Sequence, residues 1–125
     1  MGTELKHARV VFIVEDDADV RAMLAQALEL EGYRVAAAEN GQDALDKLHA
    51  ASPPCLILLD LMMPVMNGWQ FMAAQATDPE LARIPVVVLS GDATLDKKAE
   101  SLGATGFLRK PVTIDALLET VEKFS

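Results

Sequence analysis

Cysteine is nearly absent from this 125-residue sequence, positive charge is in deficit, and no long apolar run occurs. The single cysteine, Cys55, has no partner for an intramolecular disulfide and lies in an apolar stretch, so it reads as a small hydrophobe. Nineteen acidic against eleven basic residues leave a net charge of -8, which opposes binding to a phosphate backbone and argues against direct nucleic-acid contact. No stretch approaches the ~20 apolar residues that span a bilayer, and the opening MGTELKHARV lacks an apolar signal-peptide core. The expectation is a cytoplasmic protein with no membrane span. Low-complexity segments and Gly/Ser linkers are also missing. With 51% hydrophobic and 24% charged residues, the length suits one domain over residues 1–125.

What is present is an alternation of short apolar runs, at 8–14, 33–38, 55–59, 85–89 and 105–108, with amphipathic stretches. VVFIV, LILL and VVVL are continuous rather than alternating, the pattern of strands covered on both faces in a parallel sheet. Between them, Val20, Met23, Leu24, Ala27 and Leu28 form a helical stripe, as do Ala44, Leu45 and Leu48, and Ile114, Leu117, Leu118 and Val121. Asn67 with Gln70 three residues on resembles a capping box, and a thin stripe of Leu95, Ala99 and Leu102 marks a weakly anchored fourth helix. Gly32 and Gly103 stand where left-handed helix caps are needed before the next strand. Five strand-helix units with right-handed crossovers predict an α/β fold, a doubly wound five-stranded parallel sheet with helices on both faces.

Ligands in such sheets collect beyond the carboxyl ends of the strands, so the residues there carry the chemistry. Glu15, Asp16 and Asp17 follow the first strand, Asp60 the third, Ser90 the fourth, and Lys110 with Pro111 the fifth. In one of the two common doubly wound orders, 2-1-3-4-5, strands one, three and four are neighbours about 4.8 Å apart, and a lysine chain from the fifth strand can reach back. Carboxylates about 4 Å apart repel by roughly 4 kcal/mol per pair at an effective dielectric near 20, so a cation is the natural remedy. Every candidate ligand is a hard oxygen and neither His7 nor His49 falls in the cluster, which favours Mg²⁺ over Zn²⁺. Asp16 and Asp60 are expected as direct ligands, Glu15 through water, and the backbone carbonyl of Met62 as a further oxygen. Asp60 beside such a cation suits a nucleophile that forms an aspartyl phosphate, with Lys110 balancing oxygen charge and Ser90 donating a hydrogen bond.

EDD at 15–17, DLMMPVMNG at 60–68, LSG at 89–91 and KP at 110–111 together resemble the receiver domain of two-component response regulators, over essentially the whole chain. The resemblance implies a flavodoxin-like (βα)5 fold with strand order 2-1-3-4-5. It also implies a phosphoprotein that takes a phosphoryl group from a sensor histidine kinase, or a histidine phosphotransfer protein, on Asp60. Ser90 takes the hydroxyl role, Lys110 the lysine role, and Phe107 the position of a switch aromatic. Three features depart from the commoner pattern: Glu15 replaces an aspartate, Phe107 replaces a tyrosine, and Met62 and Asp92, at positions that often set the dephosphorylation rate, differ in polarity. The implied output is a changed surface of the fourth helix, fifth strand and fifth helix that controls a downstream protein target. No enzymatic activity is expected beyond slow self-phosphorylation and self-dephosphorylation. No output domain follows Ser125, which suits a free-standing regulator or a receiver cut from a larger protein.

Other readings fare worse. A haloacid-dehalogenase-type phosphatase needs a second acid where Met62 stands, a flavin carrier needs a phosphate-cradling loop where EDD stands, and an EF-hand lacks its glycine and terminal glutamate. Asp17 and Asp19 are expected only to favour a helix start, and Trp69 and the methionines of MMPVM to be loop and core packing rather than a cofactor box. The serious rival is a degenerate receiver acting as a constitutive interaction module.

Overall fold

A computed structural model describes residues 9–125, in which strands and helices alternate: β1 (Val10–Val14), α1 (Ala18–Leu30), β2 (Arg34–Ala38), α2 (Gly41–Ala50), β3 (Leu56–Asp60), α3 (Gly68–Ala76), β4 (Val86–Ser90), α4 (Ala93–Ser101), β5 (Gly106–Arg109) and α5 (Ile114–Phe124). Ala8, the expected first strand residue, and His7 lie outside the described residues. All four ladders are parallel and the strand order is β2-β1-β3-β4-β5, as the resemblance implied.

The continuous apolar runs have a simple cause. Successive side chains of a strand face opposite ways. Phe12, Val14, Ile57, Leu59, Val86 and Val88 meet α2, α3 and α4, contributing to a core with Ala44, Leu48, Phe71, Met72 and Ala99. Val11, Ile13, Leu56, Leu58, Val87 and Leu89 face the other way, onto Leu24, Ala27 and Leu28 of α1 and Leu117 and Val121 of α5. Both faces of β3 and β4 are therefore dry, and each fully buried Leu or Ile stabilises the fold by roughly 1.5–3 kcal/mol.

Helix boundaries follow local chemistry. Asp17 caps α1 by accepting from the amides of Asp19 and Val20, and the capping box at Asn67 and Gln70 is complete, with both reciprocal bonds at 2.9 Å. Gly32 and Gly103 adopt φ of 97° and 102°. In each case the glycine amide and the next amide bond back into the last turn, Gly32 to Glu29 and Tyr33 to Leu28, Gly103 to Glu100 and Ala104 to Ala99, which is the Schellman arrangement.

Two expectations are adjusted. Ile114 starts α5 but is exposed, so the buried stripe of that helix is narrower than its periodicity suggests. Asp60 and Ser90 are the last residues of β3 and β4 rather than the first beyond them, paired in register with Leu89 and Arg109. Their backbones are thus held by the ladder, which positions both side chains more rigidly than a loop would. The thin anchoring of α4 stands: Ala99 is its one buried residue, with Leu95 and Leu102 only partly covered.

Candidate functional site

At the carboxyl end of the sheet the chain brings an acid from β3, two acids after β1 and a lysine after β5 to one place. Asp60 is 4% exposed and Glu15 fully buried, whereas Asp16 faces solvent. One carboxylate oxygen from each of Glu15, Asp16 and Asp60 lies within 4.8 Å of the others. Lys110 Nζ stands 2.9 Å from Glu15 Oε1 and 3.2 Å from Asp60 Oδ1, so the long side chain does reach back across β4. The Met62 amide donates to Asp60 Oδ1 at 3.4 Å, while the Met62 thioether projects into solvent.

The electrostatics follow from burial. The Glu15 carboxyl is pushed up from 4.5 to about 7, chiefly by loss of water, against the pull of the Lys110 hydrogen bond. Burial also raises Asp60, and its hydrogen bond with Glu15 and the Lys110 charge oppose the rise. For Lys110, burial alone would lower the ammonium; the Glu15 hydrogen bond and the two carboxylate charges outweigh it and leave it raised. Three acids, two of them paired with the one lysine, form an incompletely neutralised cluster of hard oxygens, a donor set that suits a small divalent cation.

The backbone around the acids is fixed by close approaches. Gly68 donates its amide to Leu61 O at 2.9 Å, and a Cβ on Gly68 would lie 2.6 Å from the Asp60 carbonyl oxygen and 2.8 Å from Leu61 Cα. Gly41 donates to Met66 O at 3.0 Å, pinning the far side of the same loop, in which Val65 holds a φ of 68° uncommon for a β-branched residue. Arg21 Nη1 donates to the Glu15 carbonyl at 2.7 Å and to the Asp16 carbonyl at 3.5 Å. This residue went unnoticed in the sequence, although a base in the first turn of the helix after EDD was the available signal.

Ser90 is placed beside Asp60 by the β3-β4 pairing, but its hydroxyl is engaged elsewhere. Oγ donates to Asp92 O at 2.9 Å and accepts from the Asp92 amide at 3.3 Å and from Arg109 Nη1 at 2.9 Å. Arg109, also unanticipated, bonds Asp96 of α4 through Nη2 at 2.9 Å. Phe107 is half-buried against the core on the side of α4. His49 pairs with Asp78 at 2.7 Å and takes no part in the acidic cluster. Cys55 is half-buried and donates its thiol to Val10 O, and burial raises that thiol. No helix among the described residues is long and apolar enough to cross a membrane.

A 2-1-3-4-5 parallel sheet with paired acids beyond β1, an acid closing β3 and a lysine beyond β5 defines the class of CheY-like receiver modules. The chain belongs to the response regulator receiver domain family, whose model matches residues 11–122. It is similar to sporulation initiation phosphotransferase F of Bacillus subtilis (strain 168), with 30% identity over 114 residues covering 91% of each chain. Protein PilH of Pseudomonas aeruginosa is 33% identical over 116 residues, covering 89% of this chain and 93% of that protein. Among solved structures, the chemotaxis response regulator CheY4 of Vibrio cholerae superposes with a TM-score of 0.88 at 30% identity, covering 94% of this chain and 98% of that one.

Proposed function

We propose that residues 1–125 form a single receiver domain that works as a phosphoacceptor switch in the cytoplasm, with Asp60 as acceptor. An Asp60 carboxylate oxygen attacks the phosphorus of a phosphohistidine on a sensor kinase or histidine phosphotransfer protein. The P–N bond breaks, the P–O bond of an aspartyl phosphate forms, and the imidazole leaves with the electron pair. The observation that carries this reading is the convergence of Lys110 and two further carboxylates on a nearly buried Asp60 at a strand tip.

Asp16, Asp60 and, through water, Glu15 would hold Mg²⁺, with the Met62 carbonyl as a further oxygen. When bound, the ion supplies charge neutralisation to the phosphoryl oxygens. Lys110 approaches the same oxygens once the phosphoryl group displaces its contact with Asp60. Ser90 leaves Asp92 and donates to a phosphoryl oxygen, and Phe107 follows inward. The modification adds about two negative charges at Asp60 and shifts an existing equilibrium in α4 and β5. The slight burial of α4 makes that helix inexpensive to move, so the face formed by α4, β5 and α5 is where a downstream protein target reads the switch.

Incubation with acetyl phosphate and Mg²⁺, followed by intact-mass measurement, tests the assignment. One phosphoryl group per chain, lost with EDTA and in Asp60→Asn, is the expected result. Multiple turnover of the donor would make the chain an enzyme, and no uptake would favour the degenerate interaction module.

A further inference from the structure

The Ser90 hydroxyl has one proton and two acceptor positions, and all three are occupied: the proton goes to Asp92 O, and the lone pairs receive the Asp92 amide and Arg109 Nη1. A phosphoryl oxygen on Asp60 can only accept, so Ser90, 2% exposed, must withdraw its proton from Asp92 O, and turning the hydroxyl inward also gives up the bond from Arg109 Nη1. Two of the three are local to the turn. The third comes from a side chain that faces Ser90 in the β4-β5 register and whose other nitrogen is anchored on α4. Nη1 also approaches the Ser90 carbonyl at 3.5 Å.

Asp96 is the anchor. Its side chain is 15% exposed, its Oδ2 receives Arg109 Nη2 at 2.9 Å, and among the described residues its buried Oδ1 has no hydrogen-bond partner. Among the described residues Arg109 thus gives this carboxylate its one ion pair, and the pair in turn holds the guanidinium over Ser90. Only a planar fork with two separate donors can serve both acceptors at once.

We propose that Arg109 is a positioning residue that latches the Ser90 hydroxyl away from Asp60, and that Asp96 makes this latch sensitive to the placement of α4. The inference rests on the phosphoacceptor reading above. Release of Ser90 frees one arm of the guanidinium. Conversely, a partner that draws α4 away removes the anchor and frees Ser90 to approach the phosphoryl group. Because coupling is reciprocal, such a partner strengthens the modified state by the same factor by which modification strengthens its binding.

The test is beryllofluoride binding to the intact chain, since this acyl-phosphate mimic requires Ser90 to turn inward, compared with Mg²⁺ binding alone, which does not. Arg109→Ala is expected to tighten beryllofluoride about 3- to 10-fold, the worth of one partly exposed hydrogen bond from a charged donor. Asp96→Asn is expected to act in the same direction by a smaller factor. Arg109→Lys, with one ammonium in place of the fork, falls between Arg109→Ala and the parent. Mg²⁺ affinity stays near that of the parent, because Arg109 is 47% exposed and outside the acidic cluster. In a Ser90→Ala background the Arg109→Ala effect disappears, which a general structural role would not produce. If the parent binds beryllofluoride and Arg109→Ala binds it equally or more weakly, the latch is overturned while the phosphoacceptor reading stands. If the parent fails to bind it in Mg²⁺, the phosphoacceptor reading falls and the latch with it.

Discussion

Lys110 lies closer to Glu15 than to Asp60, 2.9 Å against 3.2 Å. The lysine expected to serve the acceptor carboxylate therefore spends its shorter contact on the buried acid after β1. Glu15, one methylene longer than the aspartate commoner at this position, extends to the ammonium, and in the absence of a cation Lys110 is what makes a wholly buried glutamate tolerable.

That relationship gives stability a sign against pH. The Glu15 carboxyl is raised from 4.5 to about 7, mainly by burial, so between these values the folded chain holds its proton more tightly than the unfolded chain does. Stability in EDTA should therefore fall as pH rises from about 5 to about 8. Asp60, raised by burial as well, adds to the same trend. Lys110 contributes nothing to this window, because its raised ammonium titrates above it. Thermal midpoints in EDTA should show the fall, and Glu15→Gln should flatten it. Lys110→Met should cost about 2 kcal/mol at pH 8 and less at pH 5, since it leaves the carboxylates without their cation. Added Mg²⁺ should restore stability most at the alkaline end. A midpoint in EDTA that rises across this window would contradict the account.

A second prediction concerns the contact between α3 and the end of β3. The Cβ of Gly68→Ala meets backbone at 2.6 Å and 2.8 Å, and neither the Asp60 carbonyl nor Leu61 Cα can move without shifting the end of β3. A loss of about 1–3 kcal/mol in denaturant unfolding and slower labelling of Asp60 are expected. Gly91→Ala is the control, because a Cβ there has nothing within 4 Å, and it should stay within about 0.5 kcal/mol of the parent. Equal stability of the two variants would show that the loop yields.

The sole tryptophan offers a reporter. Trp69 on α3 is partly buried against the core, and Lys98 on α4 places Nζ 5.5 Å from its ring centroid. A displacement of α4 must change that contact. Beryllofluoride with Mg²⁺ should alter Trp69 emission, and Lys98→Ala should remove most of the change. The contact is worth about 0.5–1 kcal/mol, so that variant should change beryllofluoride affinity by less than about fivefold. Unchanged emission at saturation would mean that α4 stays in place.

Much of this protein was legible in its sequence because the relevant physics is local or nearly so. Residues dry on both faces must be continuously apolar, as in LILL and VVVL, and a left-handed cap must be nearly free of side chain, as at Gly32 and Gly103. Asp17 and Asn67 announce helix starts through bonds spanning three residues. The acids after β1 and at the end of β3, with Lys110 after β5, were readable as a group once a strand order was supplied. The tertiary structure alone decided which acid the lysine prefers, where the Ser90 hydroxyl turns, and that Arg109 joins it to Asp96. Those are choices among side-chain rotamers, and a rotamer is selected by neighbours that the chain brings together only after its strands have found their register.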